Sequence, residues 1–456
     1  MDSQDTIVAP ITGTFGAAVQ LVRVSGPKTQ ELVKAVVSNP EQVFKNPRKL
    51  FLRSILDEKK NPLDRGLLSY FPAPNSFTGE EVVEFHLHAS PYILRRFIET
   101  LNSLGARNAE AGEFTKRAFL NGKLDLSQAE AVSDLVIAET EAQAKVAREQ
   151  LTGRLSKAID NLGEPLRNLL AEIEAYIDFP DEDIEPSKSD AWRTVIQKTI
   201  EQLNAYTDSY SLGKIYRDGA QVVLAGVPNA GKSSLLNALV GSERVIVTPI
   251  AGTTRDTIEE RISLGGIFVN LWDTAGLVSS EQGSRVIDEV EKKGVEISWE
   301  KISSADLVLF VFDPEQDKSF QLEFMQQVQN KATGVVLPVL NKSDIEGVNQ
   351  FLDQDNVISV SAKNNEIKSL KTELLKYIST DLDKGSLLIC NARHYASLCA
   401  CTESLKKASI SIGNNTSAEF VSFDIRQGLN HLIDIVGVSP SDEILGRIFS
   451  KFCIGK

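Results

Sequence analysis

The chain has 456 residues, more than one hydrophobic core can organise, since single cores stop growing at about 250–300 residues, so two to four domains are expected. Its 42% hydrophobic and 24% charged residues, with 29 Gly and 16 Pro, exclude collagen-like, mucin-like and largely disordered chains. The 62 Asp and Glu outweigh 49 Lys and Arg to give a net charge of −13, which excludes the basic footprint of a free-standing nucleic-acid binder; an RNA partner would need a local patch or a second protein to supply positive charge.

Residues 1 to about 120 mix short β-like runs, at Val19–Val24, Gly66–Phe71 and Glu81–His86, with helical patterns near 28–37 and 91–104, which predicts a small α+β domain. From Asp125 the apolar residues Leu126, Ala129, Val132, Leu135 and Val136 recur at helical spacing, and similar patterns through 141–162 and 164–177 predict long helices. The acidic, Pro-punctuated stretch Asp178–Pro186 predicts a loop, with another helix from about 191. Between about 219 and 379 the apolar runs Gln221–Ala225, Phe268–Trp272, Leu307–Phe312, Val335–Leu340 and Val357–Val360 alternate with helical segments, as in a mostly parallel sheet wrapped by helices. Helical patterns return over Asn391–Ala408, Ala418–Val436 and Ser441–Phe452. The expected architecture is multidomain α+β and α/β: an N-terminal α+β domain (1–120), a helical domain in two parts (121–218 and 380–456), and an α/β domain (219–379) inserted into it.

No apolar run reaches the ~18 residues a membrane span needs and Met1–Asp5 opens no apolar leader, so a cytoplasmic protein with no membrane partner is expected. Cys390, Cys399 and Cys401 read as small buried residues on a helix, and none of His86, His88, His394 or His431 falls in a zinc-binding spacing.

The densest chemical signal is Gly226-Val-Pro-Asn-Ala-Gly231-Lys232-Ser233, a G-x-x-x-x-G-K-S phosphate loop between an apolar strand and a helical pattern. Its glycines let backbone N–H groups turn toward phosphates, Lys232 supplies a point charge for the outer phosphates, and the Ser233 hydroxyl can ligand Mg²⁺. Thr253-Thr254, Asp273-Thr274-Ala275-Gly276, Asn341-Lys342-Ser343-Asp344 and Ser361-Ala362-Lys363 follow in order and select guanine: Asp344 can accept from the ring N–H and amino group that adenine lacks, while Asn341 and the Ala362 backbone meet the opposite edge. GTP contacts are assigned to Asn229 through Ser234 (Asn229, Ala230, Gly231, Lys232, Ser233, Ser234), to Thr248, Pro249, Ile250, Ala251, Gly252, Thr253 and Thr254, and to the three later motifs. Asp273 would hold Mg²⁺ through water and Thr254 would close on the metal when the γ-phosphate is present. Leu277 stands where Ras-like GTPases place a water-orienting Gln, so another group must position the water. The carbonyl-rich segment Thr248–Asp256 and the Asn229 side chain could hold a monovalent cation beside the phosphates; the K⁺ set is Asn229 with the Thr248, Ile250 and Thr253 backbones.

With Val22-Arg23-Val24-Ser25-Gly26, Phe77-Thr78-Gly79-Glu80-Glu81, Arg117–Ala131, the phosphate loop, Thr248–Asp256 and the terminal Cys453-Ile454-Gly455-Lys456, the chain resembles the MnmE (TrmE) family of tRNA-modification GTPases over essentially its whole length. The resemblance implies a homodimer whose N-terminal domain binds 5,10-methylene- or 5-formyl-tetrahydrofolate through Arg23, Glu80, Lys123 and Lys456. It also implies a potassium-activated GTP hydrolase that works with MnmG, an FAD- and NADH-using partner, to add an aminomethyl or carboxymethylaminomethyl group at carbon 5 of the wobble uridine of certain tRNAs. Cys453 would lie near the one-carbon unit. Glu291, in Val290-Glu291-Lys-Lys-Gly294, is the residue expected to orient the attacking water, ahead of Glu281, Asp288 and Glu289; the stretch Val278–Ile287 before it is longer than the family pattern. The rival reading, a regulatory or ribosome-assembly GTPase of the Era/Der type, predicts an RNA-binding module or a second GTPase domain after the first, where this chain has helices ending in Cys-Ile-Gly-Lys.

Overall fold

The computed structural model describes residues 5–13, 17–178, 186–242, 260–274, 289–345, 357–379, 387–414, 416–437, 442–450, 452, 455 and 456. They divide into two compact units, one of residues 1–137, 147–200 and 400–456, the other of 138–146 and 201–399.

In the first unit six strands, β1 (Thr6–Pro10), β2 (Val19–Ser25), β3 (Phe51–Leu56), β4 (Pro62–Phe71), β5 (Val82–His88) and β6 (Ala106–Asn108), form a sheet in the order β3-β4-β5-β2-β1-β6. All pairings are antiparallel except β1 with β6. The runs expected at 19–24 and 66–71 lie within β2 and β4, and that at 81–86 enters β5 from Val82 onward, Glu81 standing just ahead of the strand. Side chains alternate faces along β2, so Val22 and Val24 enter a core shared with Val8, Phe85, Phe97 and Leu101 while Arg23 emerges on the other face. The helix Pro91–Ser103 closes one side; Pro91 occupies its first turn and Ser90 Oγ accepts from the Ile93 N–H at 3.5 Å, a capped start.

The helices of this unit differ from the sequence reading in where they break. The expected boundary near 163 is absent: one helix runs Arg154–Asp178 with Pro165 inside it, and the interruption comes earlier, at Thr152-Gly153, where Gly153 has φ +78°. Interior proline costs about 3 kcal/mol, yet Leu155, Ile159, Leu162, Leu166, Leu169 and Ile173 form a continuous buried stripe, and Gly163 packs near Leu429 of the helix Ala418–Val436. That burial holds the helix together through the proline. The next helix begins at Pro186 rather than about 191, proline being well suited to a helix start.

In the second unit β7 (Ala220–Gly226), β8 (Glu260–Leu264), β9 (Ile267–Asp273), β10 (Leu307–Phe312), β11 (Val335–Leu340) and β12 (Ile358–Ser359) form a sheet ordered β12-β11-β10-β7-β9-β8. Every pairing is parallel except β8 with β9. β10 is buried at every position, as a central strand covered on both faces must be. Helices Lys232–Ser242, Glu289–Ser304, Lys318–Lys331 and Lys368–Ile378 follow β7, β9, β10 and β12. Cys390, expected on a helix, lies just ahead of the helix Ala392–Gly413, buried at 4% exposure; the preceding Ile389 passes close to Gly213, where a Cβ would come within 2.2 Å of the Ile389 carbonyl oxygen. Cys401 is buried on that helix and Cys399 half-buried. Among the described residues no helix is long and apolar enough to cross a membrane.

Candidate functional site

The phosphate loop leaves the buried end of β7 and enters the helix Lys232–Ser242. Two glycines are required by their surroundings. A Cβ at Gly226 (φ +147°) would stand 2.3 Å from the Val311 carbonyl oxygen of β10, and one at Gly231 (φ +85°) would stand 2.3 Å from Asn341 Nδ2. Asn229 also takes a left-handed conformation, φ +66°, which Asn tolerates better than most residues. Lys232 Nζ donates 3.0 Å hydrogen bonds to the Gly226 and Val227 carbonyls; burial pushes its ammonium below the usual lysine range, against the opposing pull of Asp273. Asp273, the last residue of β9, accepts from Ser233 Oγ at 2.5 Å, so a hydroxyl and a carboxylate meet at the mouth of the loop. Thr274 is tied down by its Oγ1 donating to the Leu224 carbonyl at 2.7 Å. Ser234 is exposed at the helix start and Ala230 is buried.

The loop carrying Asn341-Lys342-Ser343-Asp344 follows β11. Asn341 Nδ2 donates to the Ala230 carbonyl at 3.0 Å and its Oδ1 accepts from the Ala362 N–H at 3.1 Å, so its amide staples the phosphate loop to the Ser361-Ala362-Lys363 loop. Asp344 is exposed, and one oxygen accepts from Ser361 Oγ at 2.7 Å. The Ser361 hydroxyl is the main reason its carboxyl lies below the ordinary aspartate range, with Lys363 adding to the effect, so it is an ionised acceptor at neutral pH. Lys342, at φ +60°, directs its Nζ to Asp313 and Glu315 at 2.9 Å each, and the Ser343 N–H donates to the Val360 carbonyl at 3.1 Å. This arrangement offers a carboxylate acceptor, an amide and backbone donors of the kind that guanine and phosphate recognition need.

Profile comparison matches residues 6–123 to the GTP-binding protein TrmE N-terminus and residues 126–453 to the MnmE helical domain. The chain is 38% identical to the tRNA modification GTPase MnmE of Christiangramia forsetii over 100% of both chains, and 40% identical to that of Aquifex aeolicus over 99% of this chain and 100% of the other. The chain belongs to the MnmE family of tRNA modification GTPases. As a member of that family it binds and hydrolyses GTP. Solved structures with local likeness include an Era variant of Aquifex aeolicus bound to GDP and AlF4⁻ (24% identity, TM-score 0.27, 40% of this chain and 65% of that one) and the G domain of the FeoB iron transporter of T. maritima (23% identity, TM-score 0.25, 35% of this chain and 99% of that one).

In this MnmE-family chain Thr248, Pro249, Ile250, Ala251, Gly252, Thr253, Thr254, Ala275, Gly276 and Cys453 lie outside the described residues, as do the rival water-orienting candidates Glu281 and Asp288. Glu291 and Glu289 occupy the first turn of the helix Glu289–Ser304.

Of the N-terminal candidates, Arg23 and Lys456 meet at Phe114. Arg23 lies over the rings of Phe77 (4.9 Å) and Phe114 (5.4 Å) and pairs with Glu84 at 2.8 Å, and the Phe114 N–H donates to the Lys456 carbonyl at 3.1 Å. Gly79 (φ +79°) brings the backbone beside Glu80 against the Lys123 stem, 3.4 Å from a Cβ placed there. Glu80 accepts from Ser25 Oγ at 2.6 Å and from Arg117 Nη1 at 3.1 Å. Arg117 is the residue that sequence reasoning missed as a functional group, although it opens one of the segments that carry the family resemblance. Only 8% exposed, it also donates to Glu113 at 3.0 Å and Asp5 at 2.6 Å, and Arg107 binds the same two carboxylates.

Proposed function

We propose that this chain is a potassium-activated GTPase that acts as a homodimer with MnmG to add an aminomethyl or carboxymethylaminomethyl group to carbon 5 of the wobble uridine of certain tRNAs in the cytoplasm, with a tetrahydrofolate derivative as one-carbon donor. What supports this reading is the presence, in one chain of this family, of a phosphate loop tied to the Asn341 and Ala362 loops and of an N-terminal locus in which Arg23 and Lys456 meet Phe114, Glu80 meets Arg117, and Lys123 lies beside Gly79. We assign residues 1–120 to the folate-binding domain, 219–379 to the GTPase domain, and 121–218 with 380–456 to the helical domain that receives the insertion.

In GTP hydrolysis Lys232 leaves its two loop carbonyls to meet the outer phosphates, its charge stabilised there by the anion it faces. Asp344 and Asn341 fix the base, so the triphosphate is delivered in one register. Ser233 and Asp273 are a hard-oxygen donor pair suited to Mg²⁺, which when bound neutralises charge developing on the phosphates. The Asn229 side-chain oxygen, carried at the exposed tip of the loop, is suited to a large monovalent cation, with Thr248, Ile250 and Thr253 as its proposed companions. Glu291 is assigned to orienting the attacking water. At the N-terminal locus Glu80 offers a carboxylate to an amide-like pterin edge and the basic groups suit a glutamate tail; Cys453 is assigned a place near the one-carbon unit.

Calorimetric titration with 5-formyltetrahydrofolate tests the assignment. Glu80→Ala and Lys123→Ala should each weaken binding about tenfold or more; parental affinity in both would refute the folate site.

A further inference from the structure

The GTPase site contains a connection that recognition of nucleotide alone does not require. Asp313 follows β10 and is 1% exposed, and its backbone is clamped on both sides by the amide of Gln321: the Asp313 N–H donates to Gln321 Oε1 at 2.8 Å and Gln321 Nε2 donates to the Asp313 carbonyl at 2.9 Å. The Asp313 carboxylate gathers three donors, the Glu315 N–H at 3.1 Å on one oxygen, and Lys342 Nζ at 2.9 Å and Gln316 Nε2 at 3.1 Å on the other. Gln316 Nε2 reaches on to the Pro228 carbonyl at 2.7 Å. Pro228 immediately precedes Asn229, whose left-handed backbone shapes the phosphate loop.

The peptide joining Pro228 to Asn229 is planar and trans, so its C=O and N–H point in opposite directions. Holding the carbonyl toward Gln316 therefore fixes the direction of the Asn229 N–H, one of the loop amides available to phosphate oxygens. We infer that Gln316 is a positioning residue for GTP binding and hydrolysis: its amide sets the Pro228–Asn229 peptide and, through Asp313, joins the phosphate loop to Lys342 of the guanine-reading loop. The device is distinct from the Asn341 staple, which holds Ala230 and Gly231 farther along the loop. A loop anchored at only one of the two points retains base selection but presents a mis-set first amide to the phosphates.

The test uses the full chain loaded with mant-GDP, measuring release on chase with GDP, together with competition by GDP and IDP, the latter lacking the amino group that Asp344 accepts from. Gln316→Leu should speed mant-GDP release about fivefold to tenfold, the effect of one lost hydrogen bond near charge, while the GDP-over-IDP preference stays within about twofold of parental. Release at the parental rate, or a preference that falls in step with affinity, would overturn the inference, the second because it would place the damage at the base. Gln316→Glu guards against a folding defect in the first variant. Its carboxylate keeps the size of the amide but, ionised at neutral pH, cannot donate to Pro228 and faces the Asp313 carboxylate, so its release should be at least as fast as that of Gln316→Leu. Release at the parental rate from this near-isosteric variant would equally contradict the role of Gln316.

Discussion

Replacing Arg117 with Met removes the central cation of the buried cluster in the N-terminal domain while keeping an unbranched side chain of similar reach. Three carboxylates are affected unequally. Asp5 and Glu113 keep their hydrogen bonds to Arg107 at 2.5 Å each, whereas Glu80 is left with the Ser25 hydroxyl as its side-chain donor. Breaking a buried ion pair by deleting one partner costs about 3–5 kcal/mol, and the Arg107 bonds that persist place this case near the lower end, about 3 kcal/mol. The cost depends on pH in a defined direction. Burial alone would raise the Asp5 and Glu113 carboxyls, but their hydrogen bonds to Arg107 and Arg117, with the Glu110 N–H adding at Glu113, more than reverse this and hold both below the ordinary range. Folded-state values depressed in this way contribute stability above the unfolded carboxylate range and lose it as pH falls through the folded values. The variant keeps the larger, Arg107 part of that depression and loses the Arg117 part, so the gap between parent and variant should be widest near neutrality and narrow on acidification below about pH 4. Native-state hydrogen exchange is the assay, read at the β1 and β2 amides of Ile7 and Val24. A loss of about 3 kcal/mol corresponds to roughly 10²-fold lower protection for globally exchanging amides. Protection within about twofold of parental at neutral pH, or a gap that widens on acidification, would refute the reasoning.

Other sites yield sharper chemical outcomes. Asp344→Asn should shift preference from GTP toward xanthosine triphosphate by about 10²-fold in kcat/KM, because an amide donates where xanthine carries a second carbonyl; unchanged GTP preference would remove Asp344 from the base site. GTP turnover in K⁺ should exceed that in Na⁺, with the difference reduced in Asn229→Ala, and equal parental rates in the two salts would exclude the cation site. Glu291→Ala should leave GTP affinity nearly intact while lowering kcat by about 10²-fold in single-turnover kinetics, and a parental rate accompanied by a slow Glu289→Ala would move the role to Glu289.

The phosphate loop was legible in the sequence because its conformational requirements are local. Gly226 and Gly231 are needed where a Cβ would strike Val311 and Asn341, and the loop sits between a strand and a helix whose patterns are each visible alone. The parallel strands read easily for a related reason: a strand such as Leu307–Phe312, buried on both faces, is apolar throughout. β8 escaped notice because its alternation is short and half polar, and it is defined by antiparallel pairing with β9 across Gly265-Gly266. Arg117, Arg107, Asp5, Glu80 and Glu113 are ordinary charged residues in sequence, and only the fold assembles them; the same holds for Gln316 reaching back to Pro228. The helix break at Thr152-Gly153 was misread because Pro165 is the stronger local signal, and tertiary burial along Leu155–Ile173 overrode it.

The central claim is that GTP hydrolysis by this chain serves modification of the wobble uridine, and nucleoside mass spectrometry of bulk tRNA tests it most directly. A strain lacking the chain, the same strain expressing it, and the same strain expressing its Lys232→Ala form are compared. The account predicts unmodified carbon 5 at the wobble uridine without the chain, restoration by the parental chain, and no restoration by Lys232→Ala. Full modification in the strain lacking the chain, with ribosomal subunits accumulating unjoined, would contradict it and favour a ribosome-assembly GTPase.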